Sequence, residues 1–503
     1  MFPSSSATPL AGSLQPARSE RLLRAAPWAT AISVMVWALW AVAFNTAQFG
    51  DNLEQFNWSH SLEWGYYKHP PMPTWLLGSV IQLFGPSRWW AIVLAAACAL
   101  GTAMLTGSIA KQLLGARAAA AVLLLWSLQL CFSARVQLYN HNTVLVLFIA
   151  ATVWCALRTQ RGGAGWWIAT GACAGAAMLS KYQALVPLGG LLLALAGSGR
   201  LRTPAQRFGL ALAVLVALMM FVPHMSWVAN HDFTTLRYVS ESFDPEGPEH
   251  RLKVLLSFIA NQLRMVFPAL ATVLICWLMA RRQRGIDVPA DPAGLPAREV
   301  RIWLFGLIWA PLLALVVLDL AGGVTLRNHW GVQTMQFVTL WMAWRWQRFL
   351  LGDLRRLIVV AFVVQCMGLG LYAVQQRDPD AILSTRRMDT VYPAQRMADA
   401  AMGVWRSTTS CPLRFVAGPS FQAGLISLYS GGTAAVFEGA TESPWIDPAE
   451  MRRQGALYVV EGEQPLPRGI APALRFSLAP DEKTGRGARS ITIGVQPPEQ
   501  RCS

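Results

Sequence analysis

Charge is scarce in this chain of 503 residues: Asp, Glu, Lys and Arg make up 14% of it, where a soluble domain carries about a quarter. Acid is scarcer than base, with 27 Asp and Glu against 42 Lys and Arg. No Walker motif or other phosphate-cradling glycine loop is present, no internal repeat, and no CxxC or Cys/His spacing of a structural zinc site. Ligand patterns for haem, iron–sulfur clusters or quinones are also missing. The low charge and high hydrophobic content exclude a disordered chain, a coiled coil and an ordinary cytosolic enzyme, and the missing ligand patterns disfavour a redox carrier. Hydrophobic residues fill the space, at 54%, with 22 Trp among them. The formal charge is 42 − 27 = +15. Much of that excess lies in short loops between apolar runs, so it reads as membrane topology and not as a nucleic-acid footprint.

A helix needs about 20 mostly apolar residues to cross a bilayer. Eleven stretches are read as spans: 28–48, 89–110, 118–134, 143–157, 164–179, 182–198, 208–228, 254–280, 302–321, 331–344 and 357–375. The first is long, lacks a small-residue cleavage site and is followed by further spans, so it is not a cleaved signal peptide. Residues 164–179 and 182–198 are short and flank Lys181; one bent span there would reverse the side of everything that follows. Basic residues concentrate in alternate loops, such as Arg281, Arg282 and Arg284, or Arg345, Arg348, Arg355 and Arg356. That bias places the N-terminus in the cytoplasm and residues 376–503 outside it.

Three regions result: residues 1–27, cytoplasmic and disordered; a membrane domain over 28–375; and a polar tail over 376–503. In the tail, helix-like stretches (393–406, 447–454) alternate with strand-like ones (414–417, 434–437, 456–460, 490–495), which predicts a small extracytoplasmic α/β domain. Six cysteines lie in apolar runs as small core residues. Cys411 and Cys502 lie in the tail and are able to pair outside the cytoplasm.

Polar groups crowd most densely after the first span, from Phe49 to Leu76. Asp51, Glu54 and Glu63 lie there with His60, His69, Lys68, Trp58, Trp64, Tyr66 and Tyr67. Asp51 and Glu54 are three apart and share a face on a helix. Pro70–Pro71 stops any helix and fixes an extended turn.

The motif D-N-L-E-Q followed by G-Y-Y-K-H-P-P-M-P-T-W-L resembles the first outer loop of membrane glycosyltransferases that use polyprenyl-phosphate sugars. These are the family 39-like proteins with the GT-C fold: protein O-mannosyltransferases, the lipid A aminoarabinose transferase and rhizobial lipopolysaccharide glycosyltransferases. Three further segments continue the resemblance in order: Gly175–Leu185 with its Ser-Lys-Tyr turn, Pro223–Phe233, and Arg327–Trp330. The core motifs fall within 49–233. The chain departs from the family in two places. The family's Asp-Glu pair is Asp51-Asn52 here, and Asn142 in Gln137–Thr143 stands where relatives often carry Asp. Both changes remove negative charge and argue against a divalent cation, which favours carboxylate oxygens; no metal ligands are assigned.

The resemblance implies sugar transfer from a polyprenyl-phosphate donor to a hydroxyl of an envelope glycolipid, glycan or protein, inverting at the sugar carbon, at the outer face of a bacterial inner membrane. The departing phosphate needs cations, and the acceptor hydroxyl needs one base. Asp51 is the candidate base; its alternative role is to cap the following helix. Glu54 is a second catalytic candidate or the holder of a site lysine. Lys68 and His69, with Lys181 and Arg135, are candidates for the donor phosphate. Snorkelling for Lys68 and a structural ion pair for Lys181 are the competing roles. Tyr66, Tyr67, His141, His231 and Arg327 are candidates for the sugar and lipid cavity, with Asp232 and His329 beside them. The polar loop 229–253 reads as a lid. The alternatives from other classes are a transporter and a non-catalytic protein that binds lipid-linked glycans.

Overall fold

The computed structural model describes residues 14–240, 248–281, 294–321, 323–377, 389–478 and 489–499. Its N-terminal part is a helical bundle. The chain runs through α1 (Leu14–Phe44), the short α2 (Gly50–Trp58), α3 (Met72–Phe84), α4 (Trp90–Leu114), α5 (Ala116–Ser127), α6 (His141–Arg158), α7 (Ala164–Ser180) and α8 (Leu185–Gly197). It continues through α9 (Pro204–Asn230), α10 (Thr234–Ser240), α11 (Pro248–Ala280), α12 (Ala297–Leu304), α13 (Ala310–Leu320), α14 (Val332–Met335), α15 (Val338–Arg345), α16 (Gln347–Leu350) and α17 (Leu354–Arg377).

Among the described residues, seven helical stretches are long and apolar enough to cross a membrane: Glu20–Phe44, Trp90–Leu114, His141–Arg158, Pro204–Asn230, Glu249–Ala280, Ala297–Leu320 and Leu354–Arg377. The expected count of eleven is therefore not reproduced by length. The other four expected spans are helical but short or broken. Residues 118–134 become α5 followed by a 3₁₀ turn, and 331–344 split into α14 and α15. The stretch 164–179 lies in the 17-residue α7, and 182–198 becomes a 3₁₀ turn and α8.

Large apolar side chains stand exposed along α9 (Leu215, Met219, Val222), α11 (Leu256, Leu263, Phe267) and α17 (Val359, Phe362, Met367). A water-soluble protein does not leave such a belt uncovered; hydrocarbon does not penalise it. Polar side chains tie helices inside this belt. Trp37 Nε1 on α1 donates to Gln365 Oε1 on α17 (3.0 Å), and Gln365 Nε2 donates to Ser33 Oγ (2.8 Å).

Close backbone approach also holds the bundle. Gly190 of α8 packs on Gly306, which lies in a π-helical turn (Phe305–Trp309) between α12 and α13. A Cβ built on Gly190 would overlap the Gly306 carbonyl oxygen, and the reverse substitution would press on the Gly190 carbonyl. Gly190→Ala is therefore expected to cost about 1–3 kcal/mol, the usual range for overpacking. Thermal unfolding in detergent checks this. Gly189→Ala, which meets open space, is the control.

The C-terminal part holds α18 (Ala394–Thr408), α19 (Ser420–Tyr429), α20 (Pro448–Gln454) and five strands: β1 (Phe415–Ala417), β2 (Ala435–Phe437), β3 (Ala456–Glu461), β4 (Pro472–Leu478) and β5 (Arg489–Gln496). The sheet order is β2-β1-β3-β5-β4. β1 pairs in parallel with β2 and β3, while β5 pairs antiparallel with β3 and β4. The sequence reading missed α19 and β4. Cys411 is disulfide-bonded; Cys502 lies outside the described residues.

This unit is packed onto the bundle and not loosely tethered. Leu53 and Phe56 of α2 share one apolar cluster with Ala398, Leu425, Ile426 and Val436. The Thr390 carbonyl accepts from the backbone N–H groups of Thr46 (2.9 Å) and Ala47 (3.1 Å).

Candidate functional site

One end of the bundle encloses a cavity of about 800 Å³. Its polar wall carries Asp51, Glu54, Lys68, His69, Arg135, His141, Asn142, Lys181, Arg327 and His329. Its apolar wall includes Ala99, Phe132, Met265, Leu185 and Leu315. Loops distant in sequence thus meet in one chamber with a charged region and greasy arms.

Asp51 is the second residue of α2, and Phe49 holds the cap position without a side-chain cap bond. The capping alternative is thereby removed. Asp51 Oδ2 accepts from Asn140 Nδ2 at 2.7 Å. Asn140 is itself the N-cap of α6: its Oδ1 accepts from the backbone N–H groups of Asn142 (2.9 Å) and Thr143 (3.1 Å). An amide is suited to this double task, since it donates to a carboxylate while accepting from a helix start. Sequence reading assigned Asn140 no role, although an Asn before a helical run is itself a capping signal.

The two departures from the family pattern have local explanations. Asn52 is buried; its Nδ2 donates to the Gln137 carbonyl (3.1 Å) and to Gln48 Oε1 (2.9 Å), while its Oδ1 accepts from Tyr139 N–H (2.8 Å). A carboxylate has no proton for the Gln137 carbonyl, so Asn suits this stitch between α2 and the loop before α6. Asn142 Oδ1 accepts from Lys181 Nζ at 2.9 Å, and Asn142 Nδ2 bonds His141 Nε2 at 3.0 Å. A neutral amide holds Lys181 without cancelling its charge. Among the described residues Lys181 has no carboxylate within ion-pair distance, so the structural ion pair considered for it is absent.

Lys68 differs. Its Nζ lies 2.5 Å from Glu54 Oε2, and the ammonium sits over the Tyr67 ring at 5.0 Å. Glu54 thus holds a site lysine, one of the two roles anticipated for it. Burial pushes the Glu54 carboxyl up to about 7 against the lowering effect of Lys68. Burial opposes the charge on Lys68, but Glu54 and Tyr67 outweigh it and hold the ammonium above the usual lysine value.

His69 stacks against His141, with ring centroids 3.8 Å apart, and His329 lies 6.3 Å from His141. Burial and the charges of Lys181 and Lys68 keep His69 well below the usual histidine value, so it is neutral at pH 7. Lys181 is 7% exposed, and burial pushes its ammonium down to about 7, with Asp51 opposing the shift.

Several expected residues lie elsewhere. Tyr66 is fully buried; its hydroxyl donates to the Ser61 carbonyl (2.8 Å) and its ring stacks on Trp58. Tyr66 and Tyr67 are not among the lining residues; Tyr238 of α10 is, 5.9 Å from His69 by ring centroids. His231 bonds the Trp227 carbonyl (2.8 Å), stacks on that indole and lies outside the lining, as does Asp232. The loop 229–253 is partly helical, since it contains α10 and the start of α11; residues 241–247 lie outside the described residues. Pro71 has helical φ and ψ (−88°, −12°) immediately before α3, so the extended turn ends before it.

Tyr182 also lines the cavity. Its hydroxyl is 2.7 Å from His224 Nε2, and His224 Nδ1 is 2.7 Å from the Trp64 carbonyl. A carbonyl only accepts, so Nδ1 carries the proton and Nε2 accepts from Tyr182. This orients the tyrosine of the Ser-Lys-Tyr turn. Sequence reading gave His224 no role, since nothing local links it to residue 182.

The fold and this cavity define a helical protein with membrane-length apolar helices and a charged chamber at one end of its bundle. Residues 68–227 match the sequence pattern of the dolichyl-phosphate-mannose-protein mannosyltransferase family. The chain is similar to the lipid A galacturonosyltransferase RgtD of Rhizobium johnstonii, 26% identical over 324 residues, covering 62% of this chain and 64% of that one. It is also similar to the lipopolysaccharide core galacturonosyltransferase RgtA of the same organism, 26% identical over 290 residues, covering 56% of each. The match thus spans less than two thirds of either relative's length. In three dimensions the chain has the fold of ArnT from Cupriavidus metallidurans, whose structure was solved bound to undecaprenyl phosphate. The TM-score is 0.60 at 16% identity, over 92% of this chain and 97% of that one.

Proposed function

We propose that this chain transfers a sugar from a polyprenyl-phosphate carrier to a hydroxyl of an envelope glycolipid, with Asp51 as general base. The observation that carries the reading is the charge imbalance of the cavity. Lys68 is engaged by Glu54. That leaves the carboxylate of Asp51 facing Lys181, Arg135 and Arg327, with three histidines beside them. A cavity so biased takes an anion, and its apolar wall takes a prenyl chain.

In the step proposed, the acceptor oxygen attacks the anomeric carbon from the side opposite the phosphate. The carbon–oxygen bond to phosphate breaks, and its electron pair leaves with the polyprenyl phosphate. The acceptor proton passes to Asp51, and the sugar carbon is inverted. Lys181, Arg135 and Arg327 stabilise the charge that gathers on the phosphate oxygens. The surplus of cations over a single phosphate further supports a donor sugar that bears its own carboxylate, such as a uronic acid. The names of the rhizobial relatives agree with that choice.

In this reading the cavity end faces the outer side of a bacterial inner membrane, with the N-terminus cytoplasmic and the C-terminal unit periplasmic. The basic-loop bias supports this orientation. The test incubates the purified chain with undecaprenyl-phosphate-linked galacturonic acid and lipid A, with products read by mass spectrometry. Release of undecaprenyl phosphate together with a lipid A heavier by one uronosyl unit is expected. Binding of the donor without its cleavage would overturn the catalytic reading in favour of a glycan-binding or transporting protein.

A further inference from the structure

The C-terminal unit contributes a carboxylate that the transfer chemistry above does not use. Glu438 follows β2. Its Oε1 accepts from Asn57 Nδ2 of α2 (3.0 Å) and from Ser420 Oγ of α19 (2.7 Å). Asn57 Nδ2 also donates to the Ser420 carbonyl (3.0 Å). The packing at this point is tight: a Cβ built on Gly424 of α19 would lie 2.6 Å from Asn57 Oδ1. Further along the same loop, Trp445 meets the Tyr66 ring edge-on at 5.5 Å.

Spacing turns this contact into a link with the site. Asp51, Glu54 and Asn57 are successive third residues of α2, so they follow one face of the helix. That face meets Asn140 at its first position, Lys68 at its second and Glu438 at its third. The groups acting electrostatically on Glu54 are Lys68, Asp51 and Glu438; those acting on Glu438 are Lys68 and Glu442.

We infer that Glu438 is a positioning residue of the site, which anchors α2 through Asn57 and sets a second carboxylate beside the Glu54–Lys68 pair. The C-terminal unit is then a working part of the site. This rests on the proposed transfer reaction for its kinetic readout only. Burial is the main cause that raises the Glu54 carboxyl, and the like charges of Asp51 and Glu438 add to it, so loss of the Glu438 charge lets Glu54 ionise at lower pH.

The experiment uses the full-length chain with the donor and acceptor named above. Protonation of Glu54 releases its hold on Lys68 and thereby gives kcat/KM an acid limb; in E438Q this limb is expected to move to lower pH by about 0.5–1 unit, the effect of one nearby charge at a partly buried position. E438D, which keeps the charge, restores the limb. N57A, which keeps the Glu438 carboxyl but removes the anchor, is expected to lower kcat about 3–10-fold, in line with the net worth of an ordinary hydrogen bond, about 0.5–1.5 kcal/mol. In that variant KM for the donor stays in place. A purely structural Glu438 would move thermal stability and leave the limb where it is, which overturns the inference.

A donor-independent measurement separates the two proposals. In a double-mutant cycle of E438Q with K68M on thermal unfolding, non-additivity supports the link, and additivity overturns it. Coupling in that cycle together with no transfer by the wild-type chain would sink the proposed reaction and leave the positioning role intact.

Discussion

Asp51→Asn is expected to lower sugar transfer by about 10²–10⁴-fold, the range for loss of a positioned general base, while undecaprenyl phosphate still binds. The substitution is nearly isosteric, and the Asn oxygen still accepts from Asn140 Nδ2, so α2 keeps its attachment to α6. What disappears is an oxygen able to take the acceptor's proton. The loss corresponds to about 3–5 kcal/mol of transition-state stabilisation at 1.36 kcal/mol per decade. It should fall on kcat more than on KM, because the proton moves only as the bond to the acceptor forms. The comparison belongs at pH 6, since the Asp51 charge also supports the ammonium of Lys181. Equal loss of binding and turnover would point to a structural role for Asp51. Unchanged turnover would place the base elsewhere, with Glu54 the next carboxylate on the same face.

The second large effect concerns Lys181. Burial pushes its ammonium down to about 7, so in the empty protein its positive charge is present below that pH and lost above it. Affinity for undecaprenyl phosphate should therefore fall as pH rises through about 7, by up to one decade per pH unit. Lys181→Arg should keep the affinity and flatten this dependence, because a guanidinium stays protonated throughout. Lys181→Met should weaken binding about 10–150-fold at pH 6, the worth of a hydrogen bond to a charged group of about 1.5–3 kcal/mol. Titration calorimetry across pH 6–8 on the three proteins makes the check; ionisation of the phosphate itself is common to all and cancels in the ratios. Equal slopes for wild type and Lys181→Arg would remove Lys181 from the anion site.

Some of the site was legible before any coordinates. The spacing of Asp51 and Glu54 put them on one face of a helix, and both do line the cavity. A lone lysine between two apolar runs marked Lys181, because an ammonium there demands a partner. Two other candidates lie outside the cavity lining, and for a common reason. Tyr66 and His231 look chemically suitable, but each is consumed by a local carbonyl, Ser61 and Trp227 respectively. Residue type does not say which groups are already satisfied.

The same limit explains the helix count. Hydropathy sees apolar runs of similar strength at 118–134 and 208–228. The first becomes the 12-residue α5 and the second lies in the 27-residue α9. A short helix packed among others needs apolar side chains as much as a spanning one does. Burial separates them: most of α5 is buried, whereas α9 exposes much of its surface.

The sequence by itself determined that this chain is a helical membrane protein with a polar, basic-and-acidic chamber after its first long helix, because period, length and charge are properties of contiguous residues. Tertiary structure alone decided which charges remain free. Lys68 is bonded by the carboxyl of Glu54 fourteen positions earlier, Lys181 is held by an amide thirty-nine positions earlier, and Asn57 of α2 donates to Glu438 of the C-terminal unit. Charge pairing depends on distance in space and falls steeply with it, and no local pattern records which distant groups folding brings together.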